Sequence, residues 1–326
     1  MKNSLLVTAL LAIAAACTMP SGEQKEEVND SNTPLHLLTP EYKVPYGELS
    51  ADTLKAAIDR IYGYINAESL CEEDTNATLK RGAFRIGSYE WGITYQAMLA
   101  AAQVTGKEEY KTYVTRRFDF LKTVFPKFKA MSEVHDGQME QIVNPRALDD
   151  CGTMCTAMMK ATKEAGMTGL EEMIDNYYTF IDQGQYRLPN GMFARHRPQR
   201  NTIWLDDMYM GIPAIAYRGV FTGEGKYYDE AATMFKHFVE RMWVPAKGIY
   251  RHGYVEGLAQ QPTYHWARAN GWALLTTVEL LDMLPAEHRD RAFIIDQLRQ
   301  HIAGLAALQS SEGFWHQLLD RNDSYL

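Results

Sequence analysis

The stretch Trp204-Leu205-Asp206-Asp207-Met208-Tyr209-Met210-Gly211 sets adjacent carboxylates beside aromatic residues, at what reads as the opening of a buried helix. Burial disfavours the ionised carboxyl and lifts its pKa, and a carboxyl that keeps its proton near neutrality can act as a general acid. Asp206 and Asp207 are therefore candidates for proton transfer. A second pair, Asp149-Asp150, precedes another apolar run. Tyr89-Glu90-Trp91 and His265-Trp266-Ala267-Arg268-Ala269-Asn270 precede two more. Helix N-termini present unpaired N–H groups and a positive dipole end, which orient carboxylates and anions. Acids, His, Arg and aromatic faces on one rim suit a sugar, whose apolar ring faces stack while its hydroxyls and carboxylates meet polar groups. The plainer reading of the acids is helix capping, and it fits Asp149 and Asp207 better than Asp150 and Asp206.

The elements that must position these residues form a repeat. Gly92, Gly152, Gly211 and Gly271 are 60, 59 and 60 residues apart, and each opens a run of small and apolar residues. A helix apolar nearly all round is a buried one. Each run is followed by an amphipathic segment: Glu108 to Phe125, Glu171 to Ile181, Lys226 to Trp243 and Arg289 to Leu305. One buried and one amphipathic helix per period means that each hairpin covers its neighbour, and closing such hairpins into a ring gives an all-α α/α barrel. The long segments Tyr186 to Asn201 and Tyr250 to Thr263 are rich in Arg, His, Gly, Pro and aromatics, as functional loops are. Strand signals are sparse and predict only short hairpins inside those loops.

At 326 residues and 46% hydrophobic, the chain can bury a large core, and its net charge of −8 argues against nucleic acid as a partner. Lys2 and the apolar run Leu5 to Ala16 read as a bacterial signal peptide, residues 1–16, too short for a stable membrane span. Ala14-Ala15-Ala16-Cys17 resembles a lipobox. It predicts lipidation of Cys17 and a lipid-anchored protein of the bacterial cell envelope, facing the periplasm. Residues 17–44 then form a flexible tether, and the helical domain occupies 45–326. Cys151 and Cys155, four apart on a helix, read as small buried residues, since no Cys or His partners stand at zinc-like spacing. No metal or other cofactor is indicated: a His-Glu-x-x-His cluster, a calcium loop, a Gly-x-Ser-x-Gly elbow and a phosphate loop are all missing from the sequence.

Five motifs in order, Asp149-Asp150-Cys151-Gly152, Trp204 to Pro213, Arg251-His252-Gly253, Trp266 to Trp272 and Gly313-Phe314-Trp315-His316-Gln317, resemble family 105 glycoside hydrolases. Those are unsaturated rhamnogalacturonyl hydrolases, related to the family 88 unsaturated glucuronyl hydrolases. The resemblance implies a six-hairpin α/α barrel that removes a 4,5-unsaturated uronic acid from the non-reducing end of oligosaccharides, by hydrating a vinyl ether. It makes Asp206 the proton donor and Asp150 its partner at the rim. His252 becomes a substrate-site histidine, and Arg268 a ligand for substrate oxygens, in place of a surface residue and a loop salt bridge. Trp272, one helical turn beyond Arg268, becomes a stacking wall or core. Trp91, Tyr95 and His196 are further substrate-binding candidates from adjacent repeats and loops.

The Gly register places the next inner helix near roughly position 330. The chain thus reads as a C-terminally incomplete barrel with about nine of twelve helices. Two other classes fit the same rim: a glycan-binding lipoprotein without catalysis, and another α/α-barrel sugar enzyme such as an epimerase or a saturated-glycoside hydrolase.

Overall fold

The computed structural model describes residues 50–74, 77–310 and 312–324. The signal segment, Cys17 and the tether lie outside them. Ten α-helices are present among the described residues: α1 Ala51–Glu68, α2 Tyr89–Thr105, α3 Glu108–Lys129, α4 Gly137–Val143, α5 Leu148–Glu164, α6 Glu171–Thr179, α7 Asp206–Thr222, α8 Lys226–Met242, α9 Ala267–Met283 and α10 Arg291–Ala307. Eight of them, α2, α3 and α5 to α10, follow the alternation read from the sequence; α1 and the short α4 are additional to it.

Helices α2, α5, α7 and α9 form an inner layer, each packed on the next, and α3, α6, α8 and α10 each lie back on the inner helix before them. The two middle inner helices are buried on nearly every side, α5 from Cys151 to Met159 and α7 from Asp207 to Tyr217, whereas α2 and α9, which flank them, leave Val104, Leu275 and Val278 exposed against the burial expected of their apolar runs. Outer helix α8 buries Ala231, Ala232, Met234, Phe235, Phe238 and Met242, the one-face spacing of an amphipathic helix. Lys160 of α5 meets Glu279 of α9 at 2.6 Å. Because α7 lies between these two in the packing order, the inner layer curls, which is the α/α-barrel arrangement.

The Gly register has a steric cause. A Cβ on Gly92 would sit 2.6 Å from the Thr153 backbone of α5, and one on Gly152 only 1.4 Å from the Met210 carbonyl oxygen of α7. One on Gly211 would strike the Phe193 ring. Backbones that approach this closely exclude any side chain. Gly271 differs: it has nothing within 4 Å and borders an apolar groove of about 280 Å³ with Leu274, Ile302 and Leu305.

The first long loop carries the expected short local pairings, Arg187 bridging Phe193 and Arg195 bridging Thr202, and two strand pairs are added to them among the described residues. One pair is local, with β2 (Trp243–Val244) against β3 (Ile249–Tyr250). The other joins two loops: β1 (Thr202–Trp204), just before α7, runs antiparallel to β4 (Gly253–Val255), beyond α8, with Trp204 opposite Gly253. Period-two patterning over three residues cannot reveal a partner some fifty positions away.

Candidate active site

The N-termini of the inner helices converge on one rim. A backbone ladder sets three segments in register there: the Leu205 N–H donates to the His252 carbonyl at 2.9 Å, and the His252 N–H donates to the Tyr264 carbonyl at 2.7 Å. Leu205 directly precedes α7, so Asp206 is brought to His252, with Oδ2 3.3 Å from Nδ1. Both atoms are buried, and neither makes a hydrogen bond among the described residues. The His252 ring is edge-on to Trp266 at 5.0 Å and lies 6.1 Å from Trp204. Two indoles thus flank an acid–imidazole pair.

The capping expected of Asp149 and Asp207 is absent. The two side chains instead share Arg195, whose Nη2 lies 2.8 Å from Asp149 Oδ2 and 2.5 Å from Asp207 Oδ1. Arg195 was missed at the sequence level because its partners lie 12 and 46 positions away. Its guanidinium also covers Trp204, 4.4 Å from the ring centroid. Burial raises the Asp207 carboxyl, to about 6, with Arg195 opposing.

Asp150, by contrast, caps a neighbouring helix. Its Oδ1 accepts the N–H of Tyr89, the first residue of α2, at 2.8 Å. Burial raises its carboxyl to about 6; the Tyr89 N–H lowers it, Asp149 and Glu90 add to the rise, and Arg85 lowers it. Tyr89 is itself raised by burial and by Glu90, and lowered by Arg268. The start of α9 is therefore within electrostatic reach of the start of α2. Arg268 forms no salt bridge among the described residues and stacks on Trp266, 4.1 Å from the ring centroid.

Two sequence-level candidates belong to the core. Tyr95 is fully buried and donates its hydroxyl to the Ile86 carbonyl at 2.9 Å. Trp91 is 6% exposed, stacks on Phe84 and donates its indole N–H to Tyr113 at 2.8 Å. Tyr95 thus serves the α2–α3 contact, whereas Trp91 also lines a cavity of about 630 Å³ with Phe84, Arg85 and Glu90 at the start of α2. Trp272, half-buried, stacks on Tyr209 at 5.3 Å, a turn below Asp206 and Arg268. His196 is exposed, and its ring lies 4.0 Å from that of Tyr186, tilted by 35°. Cys151 and Cys155 are buried thiols of α5, and burial pushes Cys155 up to about 12.

The motif Gly313 to Gln317 leads into a strap across the rim. The Ala267 N–H donates to the Gln317 carbonyl at 3.0 Å and the Leu319 N–H to the His265 carbonyl at 2.9 Å. Asp320 then meets both His265 and the deeply buried Lys247 at 2.8 Å. Burial would raise the Asp320 carboxyl, but His265 and Lys247 lower it to about 2. The strap fixes Trp266, and through it one wall of the Asp206–His252 pair.

Layered helical hairpins with acids gathered at the inner N-termini define an α/α-barrel protein with a rim site. The fold is shared with a possible family 105 glycoside hydrolase from Klebsiella pneumoniae, at TM-score 0.67 and 19% identity, covering 88% of this chain and 74% of that one. The chain belongs to Glycosyl Hydrolase Family 88, whose pattern it matches over residues 58–326. It is 30% identical to the unsaturated rhamnogalacturonyl hydrolase YesR of Bacillus subtilis over 125 residues, 38% of this chain and 36% of that protein. It is 25% identical over 121 residues to an unsaturated 3S-rhamnoglycuronyl hydrolase of Alteromonas, 36% of this chain and 29% of that one. The chain thus matches about a third of the length of these relatives.

Proposed function

We propose that this protein is a glycoside hydrolase that removes a 4,5-unsaturated uronic acid from the non-reducing end of pectin-derived oligosaccharides, such as unsaturated rhamnogalacturonan fragments. The observation that carries the reading is the 3.3 Å approach of Asp206 to His252, with both facing atoms otherwise unpartnered, between two indoles. Asp206 as the acid gives its proton to C4 of the vinyl ether. The positive charge that develops at C5 is quenched by water, whose proton returns to the Asp206 carboxylate, and the hemiketal opens to release the aglycone. His252 holds Asp206 and can exchange a proton with it. Arg268, without a carboxylate partner, suits the uronate carboxylate through a two-pronged contact.

Incubating the protein with an unsaturated rhamnogalacturonan disaccharide should bleach the ultraviolet absorbance of the conjugated double bond, and Asp206→Asn should abolish the bleaching without unfolding the chain. Persistent absorbance with the wild-type protein would overturn the hydrolase reading. A second assignment within the same reaction makes Asp150 the donor, favoured by its carboxyl being raised to about 6. Turnover retained in Asp206→Asn and lost in Asp150→Asn would select it.

We further propose attachment to the cell envelope through a lipid on Cys17, on the strength of the Ala14-Ala15-Ala16-Cys17 motif. Radiolabelled palmitate incorporated by the wild type and not by Cys17→Ala would support it, and equal labelling of both would refute it.

A further inference from the structure

Beside the rim lies a cavity of about 640 Å³ that shares Asp149 and Arg195 with the site and extends to α4 and the loop before β1. That volume is in the range of ligand pockets. Three arginines line it, Arg146, Arg195 and Arg197, against the single carboxylate Asp149. Arg195 is bound by Asp149 and Asp207, and Arg146 is paired with Glu140. Arg197 is exposed, pairs with no acid among the described residues, and lies 5.5 Å from the Trp204 ring centroid. Trp204 leads to His252, and His252 to Asp206. Arg197 is therefore joined to the reacting centre through one indole.

Two further groups in the cavity suit a sugar. Tyr186 and His196, with ring centroids 4.0 Å apart and planes tilted by 35°, present two aromatic rings to it. Gln141 contributes a buried amide oxygen that has no hydrogen-bond partner among the described residues, open to a hydroxyl donor.

We propose that this cavity receives the part of the substrate that follows the unsaturated uronate, and that it selects an anionic group there, a sulfate ester or a carboxylate, through Arg197. The assignment rests on the hydrolase reading above and sharpens it: the preferred aglycone is charged. Tyr186–His196 stacks the sugar ring, Gln141 accepts a hydroxyl, and Arg197 meets the anion.

The test uses three matched oligosaccharides in which the unsaturated uronate is followed by rhamnose that is neutral, 3-O-sulfated, or linked to a further uronate. For the wild type, kcat/KM should be higher with at least one charged aglycone than with the neutral one, and the charged arm that gains identifies the anion. Arg197→Gln should cut that preference about tenfold, or about 1.4 kcal/mol, while Arg197→Lys, which keeps the charge, should retain most of it. Raising ionic strength should narrow the preference as well. Calorimetric affinities on the Asp206→Asn protein give the same comparison independently of turnover. Failure to turn over any of the three overturns the hydrolase reading. Equal affinity for charged and neutral compounds, or an equal loss on all three in Arg197→Gln, overturns the cavity assignment.

Discussion

The Arg195 guanidinium lies along the Asp207 carboxylate, with Nε 3.0 Å from both oxygens, and its Nη2 reaches Asp149 at 2.8 Å. One cation thus binds one acid from each of the two Asp-Asp pairs and leaves Asp150 and Asp206 for other work. Charge-assisted contacts of this kind are shorter and stronger than neutral ones.

Removing that cation strands a carboxylate with no solvent exposure. Arg195→Gln should lower the unfolding free energy by about 3–5 kcal/mol, read from urea denaturation. Adding Asp207→Asn should recover much of the loss, since a neutral buried amide costs less than an unpaired charge. A single variant as stable as wild type would show that the ion pair does not hold the rim together.

Asp150 gives a pH dependence with a definite sign. Its folded carboxyl is raised to about 6 from an ordinary 3.8, so the protonated form is the one folding favours. The stabilisation is complete below the ordinary value and is lost as pH rises through about 6. Asp150→Asn, which keeps an oxygen for the Tyr89 N–H, should therefore stabilise the fold at pH 7 and above, by at most about 3 kcal/mol, and raise Tm there. Its advantage should vanish near pH 4, within reach of the ordinary value. Thermal melts across that range check both points, and an advantage independent of pH would contradict the account.

The four register glycines should respond unequally to alanine. Gly152→Ala drives a methyl into the Met210 carbonyl and should cost about 3 kcal/mol or more. Gly271→Ala meets open space at the edge of the apolar groove beside α9 and should be neutral or stabilise by up to about 1 kcal/mol. Chemical denaturation of the two variants tests the contrast, and equal effects would undo the close-approach explanation.

The strap offers a separation of stability from chemistry. Asp320→Ala removes the acid that holds buried Lys247 and His265 and should cost about 3 kcal/mol. Because Asp320 is lowered to about 2, its contribution is present above the ordinary carboxyl range and lost as pH falls toward 2. With Trp266 less firmly held, KM should rise more than kcat falls in steady-state kinetics. A pure loss of kcat would place Asp320 closer to the reaction than the structure does.

Local sequence was enough to reveal the helical layering, because inner and outer helices differ in composition: a run such as Gly152 to Met159 can satisfy its surroundings only when buried on all sides, whereas Lys226 to Met242 carries one apolar face. It also located the rim, since each buried run is preceded by its acids and aromatics. What it could not rank was the work of each acid. Asp149, Asp150, Asp206 and Asp207 are chemically alike, and their roles depend on partners from other repeats: Arg195 for one pair, the Tyr89 N–H and His252 for the others. The same holds for Tyr95, which lies near a rim segment by sequence and is fully buried in the α2–α3 core. Tertiary structure decided these questions because pairing and burial are set by contacts between residues distant in the chain, which no local pattern records.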